Sequence, residues 1–108
     1  RNKMASGRLG ASDVAAGTYT TVYTCPASTF AVVSINLLNR GNSSCFVRLA
    51  IADASTPTNG EFIEFDTELT PKSLLERTGI VMQAGKLLVV YTNVANVSAV
   101  AFGIETAA

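Results

Sequence analysis

The amino-acid sequence predicts an all-β domain, an antiparallel β-sandwich of about seven strands. Three observations carry that expectation. From Tyr19 onward, β-branched and aromatic residues recur with a period of two. Clusters of Gly, Asn, Pro and Ser interrupt this pattern roughly every eight to twelve residues. No helical period persists except weakly at Leu74-Leu75-Glu76-Arg77, which reads equally well as a polar edge strand. Many short strands of even spacing belong to an immunoglobulin-like or a jelly-roll-like sandwich. A chain of 108 residues is long enough for one core and too short for two.

The first 17 residues differ from the rest, because Met4, Leu9 and Val14 are their only larger apolar side chains. They are expected to form an extended N-terminal arm (1–17) preceding the sandwich domain (18–108). Met4-Ala5-Ser6-Gly7 reads like a natural start, and Arg1-Asn2-Lys3 like an upstream extension or a cloning remnant. No continuous apolar run marks a secretory leader there. The seven expected strands are Thr18 to Thr24, Phe30 to Asn39, Ser44 to Ala52, Glu61 to Phe65, Ser73 to Gly79, Leu87 to Thr92 and Val97 to Glu105. Turn chemistry separates them: Cys25-Pro26-Ala27-Ser28, Asn39 to Ser43, Ser55 to Gly60, Thr70-Pro71-Lys72, Gln83 to Lys86 and Thr92 to Asn96.

Alternation assigns faces. On the second strand Ala31, Val33, Ile35 and Leu37 share one side, and on the third Cys45, Val47, Leu49 and Ile51 do. These are the expected core faces. The second strand nevertheless carries Phe30, Val32 and Leu38 on its other side, and the sixth is apolar on both sides from Leu87 to Tyr91. An isolated antiparallel sandwich leaves its outer faces polar. Either these strands are central and covered on both sides, or a partner covers them. The partner reading makes Phe30, Val32, Leu38, Leu88 and Val90 candidate interface residues, joined by Arg8, Leu9 and Val14 of the arm.

The residues that would carry chemistry are sparse. There is no histidine, so the commonest general base and neutral metal ligand is missing, and no nucleophile elbow, phosphate-binding loop or dinucleotide fingerprint occurs. No catalytic, cofactor-binding or metal residue is assigned, and the chain is not expected to be an enzyme. Eight basic residues balance eight acidic ones with no basic run, so neither nucleic acid nor an anionic membrane is an expected partner. The longest strongly apolar stretch, Phe30 to Leu38, is about half of what a spanning helix needs. Glu61, Glu64, Asp66 and Glu68 alternate as a solvated acidic edge would, with calcium binding as the weaker reading. The aromatics are spread over six strands as core and contact residues, with sugar stacking as the functional alternative. Arg48 and the Glu76-Arg77 pair read as surface ion pairs or as charges that set register with a neighbouring subunit. Cys25 and Cys45 are either buried free thiols or members of a disulfide, within or between chains.

Four segments, Gly7-Arg8-Leu9-Gly10-Ala11-Ser12-Asp13, Thr21-Val22-Tyr23-Thr24-Cys25-Pro26-Ala27, Leu75-Glu76-Arg77-Thr78-Gly79-Ile80-Val81 and Val100 to Glu105, resemble in order and phrasing small virion structural proteins of tailed bacteriophages. The likeness spans nearly the whole chain and contains no chemical signature. It implies an all-β module that decorates or cements the capsid, or sits on neck, tail or fibre structures. It also implies repeated copies, contacts with itself and with major capsid or tail and neck proteins, and residence in the virion after assembly in the host bacterial cytoplasm. The arm is then expected to lie along a neighbour or to pair with a sheet edge.

Overall fold

The computed structural model describes residues 6–107. The expectations for Arg1 to Lys3, for Met4 as a start, and for the first five residues of the arm lie outside the described residues. Eight strands follow one another: β1 (Ser6–Val14), β2 (Thr20–Thr24), β3 (Thr29–Asn39), β4 (Cys45–Ala52), β5 (Phe62–Leu69), β6 (Leu74–Met82), β7 (Leu87–Thr92) and β8 (Val97–Ala107), with a single 3-10 turn at Asn59–Glu61 before β5. They form two antiparallel four-stranded sheets, β1-β8-β3-β6 (sheet A) and β2-β7-β4-β5 (sheet B). Only β4 and β5 are consecutive strands paired in one sheet; every other connection crosses to the opposite sheet. That order is a jelly roll and not the immunoglobulin arrangement, whose sheets keep consecutive strands together.

The eighth strand is where the expectation of about seven fell short. Residues 6–14 are extended, as anticipated, but they lie along this chain's own β8, from Ser6 opposite Ile104 to Val14 opposite Val97. An edge strand is held by main-chain hydrogen bonds, so a segment poor in large side chains satisfies it provided its inward positions fit. Val14 is buried in the core and Leu9 packs against it. Gly10 is required by space: a Cβ there would stand 2.1 Å from the carbonyl oxygen of Val22 on β2. Val14 is therefore a core residue and not an interface residue.

The inner faces are those that alternation assigned. Ala31, Val33, Ile35 and Leu37 of β3 are fully buried against Cys45, Val47 and Leu49 of β4. Leu88 and Val90 of β7 belong to the same core, which corrects their expected role as interface residues. β7 lies between β2 and β4, and Val89 on its opposite side is also buried within the chain. The central-strand explanation of its two-sided apolar character is the right one for β7.

One end of the sandwich is closed by a buried polar residue. The Asn39 amide donates to the carbonyls of Ser43 (2.8 Å) and Leu69 (3.0 Å), and its oxygen accepts from the Gly41 amide at 2.9 Å. It ties the β3–β4 loop to the end of β5, with its hydrogen-bonding groups satisfied as a buried amide requires. At the other end Tyr23 of β2 donates its hydroxyl to Glu105 of β8, linking the two sheets. Burial first, and then that hydrogen bond to a carboxylate, push the Tyr23 hydroxyl well above its usual range.

Candidate interaction surfaces

The two sheets turn different outer faces outward. In sheet A the pairing aligns outward residues in rows across the strands. Val32 lies opposite Val81 on one side and Ile104 on the other, and Leu38 lies opposite Leu74. The register places Phe30 one outward position from Val32 on β3, and Val100 and Phe102 before Ile104 on β8. Val81 is 65% exposed, Leu74 53%, Ile104 52%, Leu38 37% and Phe30 36%, so five of the seven exposed large apolar side chains among the described residues fall on this one face. A run of such residues across adjacent strands is what marks a contact surface, unlike scattered single ones.

The rim of this face is polar. Arg8 on β1 stands opposite Phe102, and Glu76 on β6 stands opposite Asn36. Asp13 at the far end of β1 is engaged by Arg40. The Asn36 side-chain oxygen is buried and has no hydrogen-bond partner.

Sheet B's outer face is partly covered by its own side chains, with Phe65 and Phe46 still exposed. The Arg48 guanidinium of β4 lies 4.3 Å from the Phe65 ring centre and 4.6 Å from that of Tyr91. It also donates to Asp66 at 2.6 Å and to the Tyr19 hydroxyl at 2.9 Å. The hydrogen bonds to Asp66 and then Tyr19 raise its already high pKa further, so it stays charged. Tyr19 packs on Tyr91 at 5.1 Å, and Phe62 meets Phe65 edge-on at 5.0 Å. Beyond Phe62 and Phe65, with Asn59 as the polar wall, opens a cleft of about 450 Å³.

Three members of the acidic run, Glu61 just before β5 and Glu64 and Asp66 on it, are engaged in structure. Glu61 accepts from the Thr58 and Asp53 amides, Glu64 binds Arg77 of β6 at 2.6 Å, and Asp66 binds Arg48. The Glu64–Arg77 pair bridges the two sheets at their β5 and β6 edges. Among the described residues no three His, Cys, Asp or Glu side chains converge as metal ligands would.

Cys25 and Cys45 are both free and buried. The Cys25 thiol points at the carbonyls of Thr29 (3.5 Å) and Met82 (3.6 Å). Burial raises both thiol pKa values, which favours the protonated form.

Of the residues read from the sequence as an interface, Phe30, Val32, Leu38 and Arg8 are brought together on sheet A's outer face. Leu9, Val14, Leu88 and Val90 turn inward. Sequence reading did not single out Leu74, Val81, Phe102 and Ile104, although Val100, Phe102 and Ile104 alternate as one face of a strand. It read Arg48 as part of a surface ion pair or as a charge setting register with a neighbouring subunit, and did not anticipate the rings on either side of it. Neither a search of protein-family models nor one of curated proteins finds a match to this chain.

Proposed function

We propose that the chain is a non-enzymatic structural protein of a bacteriophage virion, a capsid decoration or cement protein that assembles in multiple copies and stabilises the particle. The observation that carries this reading is the outer face of sheet A, where apolar side chains line up across β6, β3 and β8 with nothing among the described residues over them. A module that must be covered by other protein has a use for such a face. The jelly roll, an architecture used by viral capsid domains, adds support as a fold-level analogy, and the four-segment resemblance supplies the virion.

The test is electron microscopy of particles of the phage that encodes the chain. Density for an eight-stranded sandwich in many symmetry-related copies on the capsid, with sheet A's outer face against other protein, is the expected result. Particles that lack it overturn the reading.

A second reading places the module on the neck, tail or fibre, with recognition of host-surface carbohydrate. The cleft at Asn59, Phe62 and Phe65 favours it, because aromatic faces stack on sugar rings and an amide bonds their hydroxyls. Silence on a glycan array, together with a location away from the fibres, removes it.

A further inference from the structure

Sheet A's outer face is complementary to itself. It has four strands with β8 and β3 in the middle, so β1 and β6 are equidistant from its midline. Among the described residues the outward-facing charges are Arg8 and Asp13 on β1 and Glu76 on β6, and Arg40 neutralises Asp13. One uncompensated cation therefore sits on one edge and one uncompensated anion on the other, with the apolar rows between them.

From this we infer that a second copy of the chain docks face to face on sheet A, about a twofold axis that runs along the strands midway between β8 and β3, pairing Arg8 of each copy with Glu76 of the other. The inference rests on the multiple-copy reading above and names the partner of its surface. Rotation about that axis carries β1 of one copy over β6 of the other. A twofold across the strands would set β1 over β1, with no pairing of opposite charges.

Along the strands the match is close. Arg8 is level with Phe102 and Ser34, whereas Glu76 is level with Asn36 and Val100. The offset is two residues, about 6.7 Å, within reach of an arginine side chain across the ~10 Å that separates packed sheets. Arginine's planar fork of donors suits a carboxylate.

The size of the face sets the expected strength. Four strands ~4.8 Å apart and about eight residues long give roughly 500 Å² per copy, or ~1,000 Å² in all, the lower bound for a specific interface. The dimer is accordingly weak in dilute solution and is reinforced where copies are held at high local concentration.

Sedimentation velocity of the full chain, from about 1 μM to 1 mM, tests the pairing with four proteins: wild type, R8E, E76R and the charge-swapped R8E/E76R. Wild type is expected to pass from monomer to dimer within that range. Each single variant creates two like-charge contacts and is expected to weaken association about tenfold or more. The swapped variant restores it. Both positions are exposed, so unchanged thermal melts confirm that each variant is folded.

A wild type that remains monomeric throughout overturns the dimer, leaving the virion reading to stand or fall on the particle images. A dimer indifferent to R8E and E76R, or one that the swap fails to restore, overturns the Arg8–Glu76 pairing while leaving multiple-copy assembly intact.

Discussion

The outer faces of the two sheets both carry apolar side chains and are covered to different extents. Sheet B folds its own aromatics over itself: Tyr19 precedes β2, Phe62 and Phe65 come from β5, and Tyr91 from β7, and Arg48 binds the rings of Phe65 and Tyr91, the Tyr19 hydroxyl and Asp66. Beneath them Ala50 and Val89 are buried without help from another molecule. Sheet A has the same four-strand width and, among the described residues, no such cover. The difference is one of side-chain reach. Rings and a long guanidinium close over a sheet surface, whereas Val32, Val81 and Ile104 are too short to shield one another. Apolar content alone does not mark an interface; apolar content that the chain cannot cover does.

The comparison can be broken most severely at the edge of sheet A. If residues 1–14 only flanked the sandwich, their deletion would leave the domain folded. With β1 paired along β8 and Val14 in the core, the deletion is now expected to cost about 3 kcal/mol or more, or to abolish cooperative unfolding. Denaturant titration followed by circular dichroism reads the outcome, and an unchanged midpoint would restore the arm.

The cover on sheet B is tested next. Arg48→Ala removes two cation–π contacts, the Tyr19 hydrogen bond and the Asp66 pair, and is expected to cost about 2 kcal/mol in the same titration. A loss within about 0.5 kcal/mol, the range of ordinary surface changes, would mean that the cluster is decoration on a face that needs none.

A smaller effect concerns the link between the sheets. The Tyr23 pKa is raised in the fold, so its contribution to stability is complete below the ordinary tyrosine value of about 10 and is lost progressively as pH rises above it. Tyr23→Phe is expected to cost about 1 kcal/mol at pH 8 through the lost hydrogen bond to Glu105, and to lose less further stability than wild type between pH 10 and 11. Equal alkaline losses would place the titration elsewhere.

The smallest stability effect belongs to the bare face. Val81→Thr and Ile104→Thr are expected to change stability by no more than about 0.5 kcal/mol while lowering self-association, seen as a smaller concentration dependence in light scattering. A large loss of stability would show that this face is already packed within the monomer.

Much of the fold was legible in the residues. Alternation on Ala31 to Leu37 and on Cys45 to Leu49 named the core faces, because a side-chain period of two translates directly into in and out. Turn clusters separated seven of the strands. The eighth escaped because Ser6 to Val14 is held to β8 through its backbone, and backbone pairing leaves little mark in the choice of side chains. Half of the candidate interface was legible for a related reason. Phe30, Val32 and Leu38 could be placed on the face opposite the core, but which of the two-sided strands would be covered could not.

By itself, then, the sequence determined an all-β sandwich with a residue of apolar surface in excess of its core, since both follow from local periodicity and composition. Tertiary structure alone decided where that excess lies. The crossing connections of the jelly roll bring β4, β5 and β7 together so that Arg48, Phe62, Phe65 and Tyr91 pack over sheet B, and bring β6, β3 and β8 together with nothing among the described residues long enough to close over sheet A. That assignment depends on which strands become neighbours, a matter of long-range pairing that no local pattern encodes.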